Sequence, residues 1–313
     1  MEKPILAVDI GGTKLLCGVI MPDGKCIAQC RRPLIDAAGF GQIREALLEC
    51  AKQLRPYAPS GFCAVGVTIP GLADAKRGMW VFAPHSHISD VPVVKILKQD
   101  FKVPVFLEND VNSCALAERY FGNCRGKSDY LWITVSTGIG GGLILNGKLF
   151  TGQDGNAGEV GHIIVERDEA KALRCGCGHR GCAEAMASGT GIARRYMQLV
   201  PGASQTVTAE QIAELARSGD EVARQIYKET GVYLARAIGA AVNTLNLACV
   251  ILGGGVAMAF DLFEDALRST LAQEVFTQGN PGLEIMKTAL GYEAALYGAA
   301  VLALRGFQKN TPC

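Results

Sequence analysis

The chain has 313 residues, with 31 Lys and Arg against 30 Asp and Glu, a formal net charge of +1, and no basic stripe. That balance leaves no electrostatic footprint for nucleic acid, and the length is comfortable for two domains. The opening Met1-Glu-Lys-Pro4 lacks a basic n-region and no apolar run approaches a membrane span, so a cytoplasmic chain with no membrane partner is expected. The 12 cysteines do not change this reading, because many sit in apolar stretches such as Leu16-Cys17-Gly18 and Leu48-Glu49-Cys50, the setting of reduced thiols.

Ile5-Leu-Ala-Val-Asp9 is an apolar strand ending in an acid, followed by Gly11-Gly12-Thr13-Lys14 and a second strand, Leu15 to Ile20. A dinucleotide fold or a Walker loop would place a helix after its glycines. Strand, glycine turn, strand is instead a hairpin whose turn amides and Thr13 hydroxyl can face phosphate oxygens. Asp9 suits Mg²⁺ held through water, since Mg²⁺ keeps much of its hydration. Residues 5–32 read as three strands, with Pro22-Asp23-Gly24 turning between the second and third. Ile43, Leu47, Cys50 and Leu54 fall at helical spacing over Gln42 to Leu54. Phe62 to Ile69 is the next strand, leading into the Pro70-Gly71 turn, and residues 92–122 give helix, strand, helix. Within that stretch Val103 to Leu107 is a short buried strand, Glu108-Asn109-Asp110 its end, and Val111 to Phe121 a helix. A carboxylate at such a junction, beside the positive end of a helix, is expected to stay ionised readily. Asp110 also suits a plain N-cap.

After the polar break Arg125-Gly126-Lys127, Leu131 to Val135 runs into Ser136-Thr137-Gly138-Ile-Gly140-Gly141-Gly142 and then Leu143 to Leu145. This repeats the first hairpin device, and two such hairpins facing each other would clamp a nucleoside triphosphate. Next come Gly158-Glu159-Val-Gly-His162 and Cys175-Gly-Cys177-Gly-His179-Arg-Gly-Cys182. Three thiolates and an imidazole close a tetrahedral structural zinc site, and the glycines at 176, 178 and 181 let the backbone curl. His162 is the natural fourth ligand; His179 competes but sits inside the loop between two ligands. Three small buried cysteines are the alternative to a metal. Glu221 to Leu245 is a long helical pattern, and Val250-Ile-Leu-Gly253-Gly254-Gly255 ends a buried strand before a helix-like Ala257 to Leu271. Glycines there permit close approach of a flat ring or ribose. Glu293 to Leu304, rich in Ala and Leu, is a further helix.

These motifs, in this order from residue 5 to about residue 300, resemble the ROK family of sugar kinases, repressors and open reading frames, within the actin/hexokinase-like superfamily. The resemblance implies an α/β protein of two actin/hexokinase-like (ribonuclease H-like) domains flanking a cleft, with a zinc knuckle in the larger. It places a small α/β domain at 1–122 plus 293–313 and a large one at 123–292. By the same resemblance Asp110 is the general base that takes the proton of the attacking sugar hydroxyl, and Asn109 binds a neighbouring hydroxyl. Glu159 and Glu184 are sugar-hydroxyl ligands, and His162 puts one ring nitrogen on zinc and turns the other toward the sugar. ATP and Mg²⁺ fall to Asp9, Gly11, Gly12, Thr13, Lys14, Thr137, Gly138, Gly140, Gly254 and Gly255, and zinc to His162, Cys175, Cys177 and Cys182. The implied activity is transfer from MgATP to the 6-hydroxyl of glucose by a homodimer or higher homo-oligomer whose halves close on the sugar. One segment departs from the family's glucokinases: Ala83-Pro84-His85-Ser86-His87-Ile88 stands where many carry Asn-Leu-x-Trp, which keeps N-acetylmannosamine, N-acetylglucosamine and allose open. Repressors of the family carry a helix-turn-helix before the first hairpin; here that strand starts at residue 5, which leaves a kinase or a non-catalytic sugar sensor.

Overall fold

The computed structural model describes residues 3–35, 38–83, 88–276 and 280–310, the last four by backbone alone. The chain divides into two compact units, the first joining Met1–Gly126, Thr151–Asn156 and Glu293–Cys313, the second joining Lys127–Phe150 and Ala157–Tyr292.

The first unit opens with the antiparallel strands β1 (Ile5–Ile10), β2 (Lys14–Ile20) and β3 (Cys26–Pro33), then helix α1 (Phe40–Leu54). β4 (Val65–Ile69) pairs parallel to β1, and β5 (Leu72–Asp74), β6 (Met79–Phe82) and β7 (Ser89–Val91) form a small antiparallel sheet of their own. Helix α2 (Val93–Phe101), β8 (Val105–Asn109) and α3 (Asp110–Tyr120) follow, giving a main sheet ordered β3-β2-β1-β4-β8. Along β1 the pleat sends Leu6, Val8 and Ile10 to one face, packed with Leu47, Cys50 and Leu54 of α1 and Leu97 of α2. Ile5 and Ala7 point to the opposite face. Burial on both faces explains why the strand reads as an unbroken apolar run.

The second unit repeats the plan. β9 (Tyr130–Val135), β10 (Ile139–Leu145) and β11 (Lys148–Phe150) are antiparallel neighbours. Four helices come next: α4 (Ala183–Ala187), α5 (Gly189–Leu199), α6 (Ala209–Arg217) and the long α7 (Glu221–Leu245). β12 (Cys249–Gly253), α8 (Glu264–Glu274) and β13 (Glu284–Lys287) complete a sheet ordered β11-β10-β9-β12-β13, the same order and the same mixture of senses as the first. The last helix, α9 (Ala294–Asn310), belongs to the first unit and lays Leu296, Ala299 and Ala300 on the β1 face that carries Ala7. No described helix is long and apolar enough to cross a membrane.

Several expectations change. The strand read from Phe62 begins at Val65. The continuous helix read over Ala257 to Leu271 is two pieces: a 3₁₀ turn over Val256–Leu262, non-helical at Ala259 (φ −98°, ψ 29°), and α8. The break buries Phe263 edge-on against Phe260 at 5.3 Å, and α8 restarts with Glu264 and Asp265 at its positive end. The β5-β6-β7 sheet, α5, α6 and β13 were not anticipated. The Pro84-His85-Ser86-His87 departure lies outside the described residues.

Candidate active site and metal centre

In the first unit the β1–β2 turn is closed by the Gly11 amide donating to the Lys14 carbonyl (2.8 Å), with Gly12 and Thr13 exposed at its tip. Asp9, beside this turn, is paired in register with Thr68 on β4, whose hydroxyl donates to Asp9 Oδ1 at 2.9 Å. Burial raises the Asp9 pKa, opposed by that hydrogen bond and by the charge of Lys14. Thr68 is fully buried. It escaped the sequence reading, although a single hydroxyl inside Val65-Gly-Val-Thr-Ile69 was a usable signal.

Asn109, not Asp110, caps α3. Its Oδ1 accepts from the amides of Val111 (2.9 Å) and Asn112 (3.1 Å), while its Nδ2 donates to the Gly71 carbonyl and to Asp110 Oδ1, each at 3.0 Å. Glu108 stiffens the corner from beneath: its Oε1 accepts from the Asn109 amide (2.9 Å) and from Asn112 Nδ2 (3.1 Å). Asp110 is thereby released from the capping role and stands as the first helical residue. Its pKa is pushed up to about 7, first by burial and then by the charge of Asp9, against hydrogen bonds from the helix start and Asn109. The expectation of a readily ionised carboxylate fails because desolvation outweighs the helix terminus. A carboxylate titrating near neutrality is suited to general-base work.

In the second unit, Glu159 and His162 sit on a segment folded tightly against β10. Gly158 has φ +101°, and a Cβ there would lie 2.1 Å from the Gly141 carbonyl, so only glycine fits. One ligand atom each from His162, Cys175, Cys177 and Cys182 lies within 4.8 Å of all the others. His162 Nδ1 is 3.7 Å from Cys175 Sγ, and Cys177 Sγ is 3.6 Å from Cys182 Sγ. With Zn–S near 2.3 Å and Zn–N near 2.0–2.1 Å, tetrahedral angles separate ligand atoms by about 3.6–3.8 Å, so this donor set fits zinc. His179 approaches Cys177 (3.6 Å) but is not among the four converging groups. The loop curls at Gly178 and Gly181, which have positive φ, and not at Gly176. His162 Nε2 faces away from the thiols, 3.8 Å from Glu159 Oε2. Glu184, on α4, spans two features: Oε2 accepts from the Ile139 amide (3.0 Å), and Oε1 is 3.7 Å from Cys175 Sγ.

The β9–β10 turn, Ser136-Thr137-Gly138, is closed by the Ser136 amide donating to the Gly138 carbonyl (2.9 Å). Helix α5 starts against it: the Gly189 amide donates to the Ser136 carbonyl (2.7 Å) and the Thr190 hydroxyl to the Thr137 carbonyl (2.9 Å). Ser188 caps that helix, accepting from the Gly191 amide at 3.1 Å. Gly140 lies within β10, opposite Thr134. Gly254 has φ +87°, and a Cβ there would meet the Val135 carbonyl at 2.5 Å, so β12 can end beside β9 only with glycine. A cavity of about 600 Å³ runs from Thr137 between Gly255 and α5 to α6, past Arg194, Val207 and Ala213. That is the size of a small-ligand site. The helices lining it, α5 and α6, escaped the sequence reading, although Thr208-Ala-Glu-Gln211 is a capping-box pattern and the box forms.

A family model described as the ROK family matches residues 5–306. The chain belongs to the ROK family. A glucokinase of Thermotoga maritima is 32% identical over 314 residues, covering 95% of this chain and 96% of that protein. The crystal structure of a ROK family glucokinase from Streptomyces griseus, in complex with glucose and AMPPNP, matches with a TM-score of 0.82 at 30% identity, over 97% of this chain and 100% of the other. Regulators are similar too. The DNA-binding transcriptional dual regulator NagC of Escherichia coli is 32% identical over 248 residues, 77% of this chain but 60% of NagC. The two mixed sheets with flanking helices are thus an α/β ROK fold.

Proposed function

We propose that this ROK protein is an ATP-dependent sugar kinase that phosphorylates the 6-hydroxyl of a hexose, with glucose the preferred acceptor. The observation that carries the reading is Asp110, a carboxyl held at the β8–α3 corner with its pKa near 7. Phosphoryl transfer asks for an oriented hydroxyl, a group to take its proton and neutralised phosphates. Asp110 accepts the proton as the 6-hydroxyl oxygen attacks the γ-phosphorus and ADP leaves. Asn109 binds a neighbouring hydroxyl through Nδ2, giving up its contact with the Gly71 carbonyl or Asp110 while Oδ1 keeps the cap. In the second unit, the Glu159 and Glu184 carboxylates and His162 Nε2 accept from sugar hydroxyls, each carboxylate oxygen being able to serve a different one.

The turn residues Gly11, Gly12 and Thr13 in the first unit, with Lys14, and Thr137 and Gly138 in the second, offer amides and a hydroxyl to phosphate oxygens. The start of α5 adds positive potential beside Thr137. The cavity next to Gly254 and Gly255 takes the adenosine. Mg²⁺ would be held through water by Asp9 and would neutralise phosphate charge. Zinc on His162, Cys175, Cys177 and Cys182 would be structural: it fixes the imidazole tautomer, so that Nε2 is the nitrogen left for the sugar.

The regulatory relatives favour one other reading, a sugar sensor without catalysis. ADP release measured with MgATP over glucose, N-acetylmannosamine, N-acetylglucosamine and allose separates the two. Glucose is expected to give the highest kcat/KM. A higher value for N-acetylmannosamine would overturn the choice of sugar, and saturable sugar binding without ADP release from any of them would overturn the kinase. Hydroxyl-reading sites discriminate epimers strongly, because a wrong epimer leaves buried polar groups unpaired.

A further inference from the structure

A second thiol cluster lies in the first unit, apart from the knuckle. Cys17 on β2 and Cys30 on β3 are direct cross-strand partners, and Cys50 reaches them from α1. The Cys30 and Cys50 sulfurs stand 2.7 Å apart, and Cys30 Sγ is 3.1 Å from Gln53 Oε1. A disulfide bond is about 2.05 Å long, so closure needs a movement of well under an ångström. Arg32 follows Cys30 by two residues, on the same face of β3, with its Nε buried and unpartnered. Its charge favours thiolate at both cysteines, but at Cys30 burial and the neighbouring Cys50 outweigh it and push the thiol up to about 11. Cys50 is drawn down to about 6, by hydrogen bonding to Cys17 first, then Cys30 and Arg32, against its burial. Low-pKa thiols in electropositive settings are the reactive ones. Cys50 is fully buried, but Cys30 is 8% exposed and gives a small reagent its way in.

We propose that Cys30 and Cys50 form a reversible oxidation site, closed to a disulfide by hydrogen peroxide and clamping α1 to β3. The Cys50 thiolate attacks one peroxide oxygen, which reaches it past Cys30. The O–O bond breaks, leaving a Cys50 sulfenic acid and one hydroxide, which takes the proton of Cys30. The Cys30 thiolate then attacks the Cys50 sulfur and expels a second hydroxide, protonated by solvent. Two thiols and one peroxide become one disulfide and two waters, and the two electrons end on oxygen. The clamped helix packs on β2 as well as β3, and β2 begins at Lys14 in the phosphate-facing turn.

The test treats the whole protein with hydrogen peroxide, alkylates it under denaturing conditions and maps its tryptic peptides by mass. Peptides 26–31 and 45–52 are expected joined, about 2 Da lighter than the pair of free thiols, and separated by dithiothreitol. Because peptide 26–31 also contains Cys26, a Cys26→Ser variant is expected to keep the cross-link, and Cys30→Ala and Cys50→Ala to lose it. Wild-type protein in which Cys30 and Cys50 are recovered fully alkylated while the knuckle thiols are oxidised would overturn the proposal. A cross-link that vanishes in Cys26→Ser would overturn it too. Neither wild-type reading depends on any variant folding.

Discussion

Burial and the charge of Asp9 both favour the neutral form of Asp110, while the α3 amides and Asn109 favour the ionised one. Replacing Asp110 by Asn keeps the corner's shape and removes the base, so turnover is expected to fall roughly 10²- to 10⁴-fold, with a smaller loss of sugar affinity. Initial-rate kinetics on purified variant checks this, and near-full turnover would remove Asp110 from the role. The pH dependence has a definite sign. A base with a pKa near 7 in the free enzyme gives kcat/KM that rises with pH through about 7 and levels above it. The same raised pKa means that the folded state holds a proton that the unfolded state has released between the ordinary aspartate value of 3.8 and about 7. That contribution to stability is full below the lower value and is lost as pH rises through the upper one. Asp110→Asn is therefore expected to gain stability relative to wild type as pH increases from 4 to 8, followed by chemical denaturation at each pH. The position of Asp110 was legible from an apolar run ending in Glu-Asn-Asp. Its charge state was not, because the groups that set it, Asp9 and the surrounding core, are far away in sequence.

Whole elements meet most tightly where β12 ends against β9. A methyl group at Gly254 would have to tolerate both a positive φ and a 2.5 Å approach to the Val135 carbonyl. Gly254→Ala is expected to cost about 1–3 kcal/mol of stability and to weaken ATP binding, read by urea titration and by KM for ATP. The knuckle is the other element with a sharp expectation. Elemental analysis should find one zinc per chain, and Cys177→Ser should lower metal affinity by about 10–100-fold or more and stability along with it. A metal-free wild-type protein of unchanged stability would count against the site. The spacing of the cysteines and glycines announced this element from sequence, because its ligands are nearly all local. The fourth ligand, His162, was named from its sequence neighbourhood too, and the fold brings it to the thiols because the Gly158–His162 segment is packed onto β10. The kink before α8 was invisible for the opposite reason, since Ala257 to Leu271 keeps a passable helical pattern and only the burial of Phe263 breaks it.

At the scale of the molecule, two sheets with one strand order place a glycine turn after the first strand of each. The sequence showed that duplication in its hairpins and showed β4, β8 and β12 as strands, but not β13 nor the parallel pairing of any of the four, whose partners lie far along the chain. The two tryptophans divide between the units, Trp80 in the first and Trp132 in the second, and each is almost wholly buried. Single-tryptophan variants can therefore follow each unit separately. A non-hydrolysable ATP analogue bound through the second unit at about 100 times its Kd adds about 2.7 kcal/mol to the state that holds it. The Trp132 unfolding transition is expected to move up with the analogue. A Trp132 transition that stays fixed under saturating analogue would argue against a nucleotide site in that unit.

The segment order of the first unit carries a consequence for synthesis. Its sheet is finished by Asn109, yet α9, which covers Ala7, Leu16 and Ile20 and brings the Ala299 carbonyl against Gly66, is translated after the entire second unit. At about 5–20 residues per second, that sheet face waits roughly 10–40 s for its cover. During this interval an apolar surface is presented to the ribosome exit and to any holding chaperone, while the second unit is itself being made and receives its last strand, β13, only at Lys287. The maturation of the nascent chain is thus paced by its last helix.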